Sequence, residues 1–331
     1  MDEAHGLTAK CELNARLLAT LKAAGGQGSP VGDVARSLRL NQPQLGREIE
    51  RLEDLGFSIE EKDSRLRLVA APDLLYPHEI REGLGTELIG RKVVVYDSIS
   101  STNDVAWELA ADGVDEGLVV LAEEQTRGRG RMGRTWHSPR GGLWMSVLLR
   151  PDPPTERATV LTTAASVAVA RAIRSYPGCN ATIRWPNDIL VKGKKVAGVL
   201  VETRTTTSLR GTFILGVGVN VNCVELPDDL RATATILALH SKEPIRRAEL
   251  ARSIIRNFDD LYLEILRGEY AAIAEEWPAM SSTIGRRITI IQNGRTYRGE
   301  VVDIDPVAGL MVRLDRGFVR AFKGEHVTVV K

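Results

Sequence analysis

The sequence predicts a multidomain α+β protein: an N-terminal winged helix-turn-helix, a central mixed α/β domain and a small C-terminal antiparallel barrel. Three observations carry this. Apolar residues recur at helical spacing through Leu55 and then alternate. From Lys92 strand-like runs alternate with helical ones, and from Ile284 short strands are separated by turn residues. Charge shifts with the pattern: residues 1–80 carry 10 basic and 13 acidic side chains, 81–280 carry 25 of each, and 281–331 carry 9 and 5. The expected boundaries are 1–70, a linker at 71–83, 84–280 and 281–331.

In the first module Leu13, Leu17, Leu18 and Leu21 share a helical face. Gly25-Gly26-Gln27-Gly28 is a loop, and Val31, Val34, Ala35 and Leu38 mark a second helix. Leu45, Ile49, Leu52 and Leu55 mark a third, followed by short strands at Phe57–Glu60 and Leu66–Val69. In that order the third helix is the one that enters a DNA major groove, with Asn41, Gln42, Gln44 and Arg47 able to reach base edges. Three helices and a hairpin equally suit a protein-interaction module. The net charge of −3 and the expected wing Glu60-Glu61-Lys62-Asp63-Ser64-Arg65 offer little to phosphates, which supply most of a DNA binder's affinity.

Pro72 and Pro77 mark the linker. Beyond it the expected strands are Lys92–Tyr96, Gly117–Leu121, Leu143–Leu149, Val196–Val201 and Phe213–Val221, with helices at Asn103–Ala111, Thr159–Ser175 and Arg247–Leu266. The last module reads as strands Ile288–Ile291, Thr296–Asp303, Gly309–Leu314 and Phe318–Phe322.

Composition excludes several classes. With 43% hydrophobic residues and a net charge of +1 over 331 residues, the chain is neither disordered nor a global polyanion binder. Cys11, Cys179 and Cys223 form no C-x-x-C pair, and the five histidines are isolated, so no metal site and no disulfide framework is expected. The opening residues lack a basic and apolar leader and no stretch is long enough to span a bilayer, which points to a cytoplasmic protein away from membranes.

The densest chemical signal is Arg127-Gly128-Arg129-Gly130-Arg131-Met132-Gly133-Arg134. Arginine forks suit phosphate and carboxylate, and glycine lets backbone N–H groups approach an anion. Mutual repulsion predicts a mobile loop that orders on a polyanionic ligand; the plainer alternative is a solvated basic turn. Although Gly128, Gly130 and Gly133 match a dinucleotide fingerprint, no helix follows, and no P-loop exists. Ser101, Thr102 and Asn103 suit either a helix cap or the binding of a polar head group. Arg184-Trp185-Pro186-Asn187-Asp188 is a rigid turn. Lys194-Lys195 then opens a strand, either as a solvated end or with one ammonium held beside a pocket, where it would stabilise a developing oxyanion. Gly216 and Gly218, before Asn220, suit a flat ligand or simply a tight strand.

The series S-S-T-N, Q-T-R-G-R-G-R-M-G-R-T-W, R-W-P-N-D, K-K-V-A-G-V-L-V-E and G-V-G-V-N resembles the biotin protein ligase family over residues 81–331. With the N-terminal pattern, the whole chain resembles the members that double as biotin-operon repressors. The resemblance implies a class II synthetase-like central domain, an SH3-like barrel and a two-step reaction. Biotin and ATP, with Mg²⁺ carried chiefly by the phosphates, give biotinyl-5′-AMP, and a lysine of a biotin carboxyl carrier protein then takes the biotinyl group. It implies biotin contacts at Ser101, Thr102, Asn103, Gln125, Gly128, Arg129, Gly130, Arg131, Lys195 and Gly198. ATP contacts fall on Arg129, Arg131, Arg134, Trp136, Asn187, Lys195, Gly216 and Asn220. Catalytic roles fall on Lys195, Arg131 and Asp188, the last orienting or deprotonating the acceptor lysine. Operator DNA and a homodimer are the further partners the resemblance admits. A lipoate–protein ligase, and a biotin-sensing DNA-binding regulator with an inactive ligase domain, are the competing readings.

Overall fold

The computed structural model describes residue 14 and residues 16–151, 157–204, 211–223, 225–324 and 327–330. Leu13, Cys11, His5 and His326 lie outside the described residues. The chain divides into two compact units, Met1–Leu74 and Leu75–Lys331.

In the first unit, helix α1 (16–24) precedes a short strand β1 (Ser29–Pro30), helices α2 (Val31–Leu38) and α3 (Gln42–Asp54), and the hairpin β2 (Ser58–Lys62) and β3 (Arg65–Ala70). The sheet order is β1-β3-β2. Leu17, Leu18, Leu21, Val34, Leu38, Leu45 and Leu52 are buried, as the helical spacing predicts, and so are Phe57 and Leu66 of the segments read as strands. Leu55 differs: it lies past the end of α3 and is 44% exposed. The start of α3 is fixed by a capping box, in which Asn41 Oδ1 accepts from Gln44 N–H and Gln44 Oε1 accepts from Asn41 N–H, both at 2.9 Å.

The stretch expected as a linker contributes to the second unit. Helix α4 (Pro77–Arg81) lies within it, and Leu75 and Ile80 are buried in the core. A seven-stranded sheet follows, built from β4 (Lys92–Ile99), β5 (Leu118–Gln125), β6 (Leu143–Leu149), β7 (Ala181–Arg184), β8 (Asp188–Val191), β9 (Lys194–Thr203) and β10 (Phe213–Val219). Its order is β4-β5-β6-β10-β9-β8-β7, with β4 and β5 parallel and the other neighbours antiparallel. Strands β7 and β8 flank the Trp185-Pro186 turn, whose peptide bond is cis.

Helix α5 (Thr102–Ala111) packs on one face of this sheet through Ala106, Trp107 and Ala110 against Leu118, Val120, Leu148 and Ile214. Helices α6 (Arg157–Arg174), α7 (Arg247–Arg267) and α8 (Ala271–Met280) belong to the large core, which also holds Ile290, Val301, Ile304, Leu310, Val312 and Phe322. Those residues come from a five-stranded antiparallel sheet of β11 (Arg287–Gln292), β12 (Arg295–Asp305), β13 (Gly309–Leu314), β14 (Val319–Phe322) and β15 (Val327–Val330), in the order β14-β13-β12-β11-β15. The shared core ties the two sheets together, so residues from both can line one site. Among the described residues no helix is long and apolar enough to cross a membrane.

Candidate active site

The N-terminus of helix α5 lines a cavity of about 970 Å³, through Ser101, Thr102 and Asn103. That is near the upper end of small-molecule sites, room for more than one small ligand. Among the described residues Arg129, Arg131, Arg134, Arg184, Lys195, Arg286 and Arg287 line it, against one carboxylate, Asp188. The excess of cations selects an anionic ligand. Arg286 and Arg287 stand at the start of β11 in the C-terminal sheet and carried no signal in the sequence.

The floor is made of glycine. A Cβ on Gly216 would lie 2.6 Å from Asn103 Oδ1, and one on Gly218 would lie 2.7 Å from Trp136 Nε1. One on Gly198 would lie 3.0 Å from the Trp136 ring. The glycines therefore serve the chain's own Asn103 and Trp136, which lie close over the strands. Trp136 Nε1 is buried without a hydrogen-bond partner, a donor that a bound acceptor would satisfy.

At one end polar groups form a continuous network. Gln125 Oε1 accepts from Thr102 N–H at 2.8 Å and lies 3.0 Å from Thr102 Oγ1, while Gln125 Nε2 donates to Ser138 Oγ at 2.9 Å. Ser146 Oγ lies 2.7 Å from Thr102 Oγ1 and 2.5 Å from Asn103 Oδ1. Ser101, Thr102 and Asn103 are buried, and the Ser101 side chain makes no capping bond. Ser146 and Ser138 were missed in the sequence, although a serine inside the otherwise apolar run Leu143–Leu149 is itself a signal that a buried hydroxyl has a partner.

At the other end Lys195 Nζ sits 2.5 Å from Asp188 Oδ1 and 4.7 Å from the centre of the Trp136 ring. Asp188 also pairs with Arg184 at 2.8 Å. Burial pushes the Asp188 carboxyl up, but Lys195 and then Arg184 outweigh it and hold the group below the usual carboxylate range. A carboxylate so stabilised is a poor proton acceptor, which disfavours Asp188 as the base for an incoming amine and favours it as the group that holds Lys195 in place.

The arginine loop is tied more firmly than charge repulsion predicts. Gly128 O accepts from Trp136 N–H at 2.9 Å and Gly130 N–H donates to Arg134 O at 2.7 Å. Arg129 is gripped by Glu202, with Nε to Oε1 at 2.8 Å, and by Asp104 at 2.8 Å. The hydrogen bond to Glu202 is the chief cause that raises its already high pKa. Arg131 donates to Asn187 Oδ1 at 3.3 Å and to the carbonyl of Gly324, bridging loop, turn and C-terminal module. Asn187 is itself clipped to β9, with Nδ2 donating to Val199 O at 2.5 Å.

Of the residues singled out in the sequence, the cavity gathers Ser101, Thr102, Asn103, Gln125, Arg129, Gly130, Arg131, Arg134, Trp136, Asn187, Asp188, Lys195, Gly198 and Gly216. Gly128 stands behind the wall, where a Cβ would meet Ser138 Oγ at 2.4 Å. Asn220 is turned away and donates to Thr235 O at 3.2 Å. Asn41, the N-cap of α3, and Gln42, Gln44 and Arg47 on that helix are exposed in the other unit. Among the described residues no group of three His, Cys, Asp or Glu could hold a metal ion.

A mixed sheet with a glycine floor, and a cationic cavity lined by an arginine loop, define a site suited to an anionic ligand in a protein without a P-loop. Residues 95–220 match the model of the biotin/lipoate A/B protein ligase family. The chain is 35% identical over 296 residues to the bifunctional ligase/repressor BirA of Bacillus spizizenii, covering 88% of this chain and 91% of that protein. It is 32% identical over 245 residues to a biotin–[acetyl-CoA-carboxylase] ligase of Mycobacterium tuberculosis, covering 70% and 89%. The structure of a biotin protein ligase from Aquifex aeolicus shares the fold, with a TM-score of 0.64 at 23% identity over 73% of this chain and 99% of that one. The chain belongs to the biotin/lipoate A/B protein ligase family, among the BirA-type biotin ligases.

Proposed function

We propose that the protein is an ATP-dependent biotin–protein ligase. In the first step a biotin carboxylate oxygen attacks the α-phosphorus of ATP, forming biotinyl-5′-AMP and releasing pyrophosphate. In the second the amine of a carrier-protein lysine attacks the acyl carbon, and AMP leaves with the bonding electrons. Neither step needs a resident nucleophile. The single observation that carries the reading is the two-ended cavity: a neutral hydrogen-bonding network at Thr102, Asn103, Gln125 and Ser146, and an ammonium, Lys195, at the other end among arginines.

The neutral end suits the ureido ring of biotin, which presents both donors and an acceptor. Lipoate's dithiolane offers no such pattern, so the network favours biotin over the lipoate alternative. Lys195 would lie against the carboxylate and the attacked phosphate, Arg131 and Arg134 would face the phosphates, and Trp136 Nε1 would meet an acceptor on the adenylate. Mg²⁺ fits as an ion carried by ATP phosphates, because the one carboxylate lining the cavity among the described residues is engaged by Lys195 and Arg184.

ATP–pyrophosphate exchange on the purified chain tests this. Exchange that depends on biotin and not on lipoate is expected; exchange driven by lipoate, or none, would overturn the reading. Gly216→Ala tests the head-group end. The new Cβ displaces Asn103, so the biotin KM should rise about tenfold, the value of one hydrogen bond, with the ATP KM little changed.

The finer domain readings belong to the same proposal. A class II synthetase-like central domain, an SH3-like C-terminal barrel and a winged N-terminal module fit the sheet orders and the helix–helix–hairpin sequence. Repression through operator DNA is supported by the extended match to a ligase/repressor. Asn41 and Gln44 are engaged in the α3 capping box, which leaves Gln42 and Arg47 as the better-placed base contacts. Gel-shift titration on the promoters of the host's biotin genes, with and without biotin and ATP, is the test; no shift at low salt would remove the repressor function. The buried free thiols Cys179 and Cys223 suit a reducing cytoplasm.

A further inference from the structure

The reaction so described leaves Glu202 without a role, yet it is the most heavily used carboxylate near the cavity. On β9 it alternates onto the same face as Gly198 and Leu200, which line the cavity. Its carboxylate receives Arg129 Nε at 2.8 Å, Arg129 Nη2 at 3.1 Å and Trp107 Nε1 at 3.3 Å, and the Asn103 amide also donates to it. Asn103 and Trp107 are one helical turn apart on α5. Arg129 Nη2 is shared with Asp104 at 2.8 Å.

We propose that Glu202 is a positioning residue that couples the head-group end of the cavity to the arginine loop, through Asn103 on one side and Arg129 on the other. This rests on the ligase reading above. With its amide nitrogen on Glu202 and its oxygen on Ser146, Asn103 has its orientation set from both ends, so Glu202 decides which edge of the amide meets a ligand. Arg129 is thereby an anchor of the loop and not a phosphate ligand. Swinging it toward a phosphate would take the guanidinium from two part-buried carboxylates, a cost that a merely proximate anion does not repay. Phosphate binding falls to the second half of the loop, from Arg131 onward.

The test uses the full chain as wild type, Glu202→Gln, Arg129→Ala and the double variant. Biotin affinity is measured by calorimetry without ATP, and both KM values by pyrophosphate exchange. Glu202→Gln is expected to weaken biotin binding about tenfold, the loss of one charged hydrogen bond, while the ATP KM stays within about twofold. Arg129→Ala should do the same, and the double variant should be no worse than the poorer single, because both break one unit. Glu202→Asp, which keeps the charge on a shorter stem, should fall between wild type and Glu202→Gln, and it serves alone should Glu202→Gln fail to fold. Unchanged biotin affinity in Glu202→Gln, or in Glu202→Asp where that stands alone, would overturn the proposal. So would a raised ATP KM with intact biotin binding in Arg129→Ala. A wild type that binds no biotin at all would instead remove the ligase reading on which the proposal stands.

Discussion

Lys195→Ala is expected to abolish adenylate formation while leaving the fold intact. Lys195 Nζ is held by Asp188 Oδ1 and by the face of Trp136, at the start of a strand whose neighbours Val196 and Ala197 are fully buried. The ammonium is thus fixed before ligand arrives, so no reorganisation is needed as charge builds on the phosphate oxygens. Loss of one such preorganised donor costs about 10²–10³ in rate, and the effect should fall on the biotin-dependent exchange rate more than on ATP affinity. The fold survives because removal of the ammonium does not leave Asp188 unpaired: Arg184 still holds it at 2.8 Å. Lys195→Arg is the sharper comparison. A planar fork cannot occupy the place of a point charge wedged between a carboxylate and an indole, so it should recover little of the rate. Near-normal exchange in Lys195→Ala, with an unchanged melting curve, would move the chemistry elsewhere in the cavity.

The sequence disclosed the cavity-lining residues better than their supports, and the reason is physical. Ser101 to Asn103, the arginine loop, the Trp185-Pro186 turn and Lys195 belong to short local patterns whose composition is unusual for a core. Their counter-charges are distant: Glu202 lies 73 residues from Arg129 and reaches it only through the sheet order that sets β9 beside β10, on the face α5 covers. Strand alternation could have placed Glu202 on the cavity face, since it stands two positions beyond Leu200 and four beyond Gly198, but nothing in the sequence says which cation it meets. The same holds for Arg286 and Arg287, which reach the cavity because the C-terminal sheet shares the large core. The glycines at 216 and 218 were legible as a close approach, but the first groups to approach are Asn103 and Trp136 of the chain itself. The anchoring of the loop was hidden for a related reason. Counting four arginines predicts repulsion, whereas pairing Arg129 with two carboxylates removes one of those charges from the sum.

Arg131→Gly should uncouple the two steps by letting the activated acid escape. Arg131 crosses from the loop to Asn187 Oδ1 and the Gly324 carbonyl, and Gly324 itself packs against Pro186, where an added Cβ would lie 3.1 Å away. That one side chain therefore closes a gap bounded by the loop, the cis-proline turn and the C-terminal module. Glycine at this position removes the bar and also frees the backbone between Gly130 and Met132, the latter already at a positive φ of 59°. Adenylation should persist at a reduced rate, because losing one phosphate-facing guanidinium leaves Lys195 and its partners in place on β9 and β8. What is lost is retention: an acyl-adenylate that leaves the cavity reacts with any exposed lysine. Two measurements check this. Release of preformed biotinyl-5′-AMP should quicken about tenfold or more, as expected from loss of charged hydrogen bonds, and a bystander protein without a carrier domain should become biotinylated in the presence of ATP. If the variant labels only the carrier protein and holds its adenylate as long as wild type does, the Arg131 bridge is a fastening between modules and not a closure over the reactive intermediate.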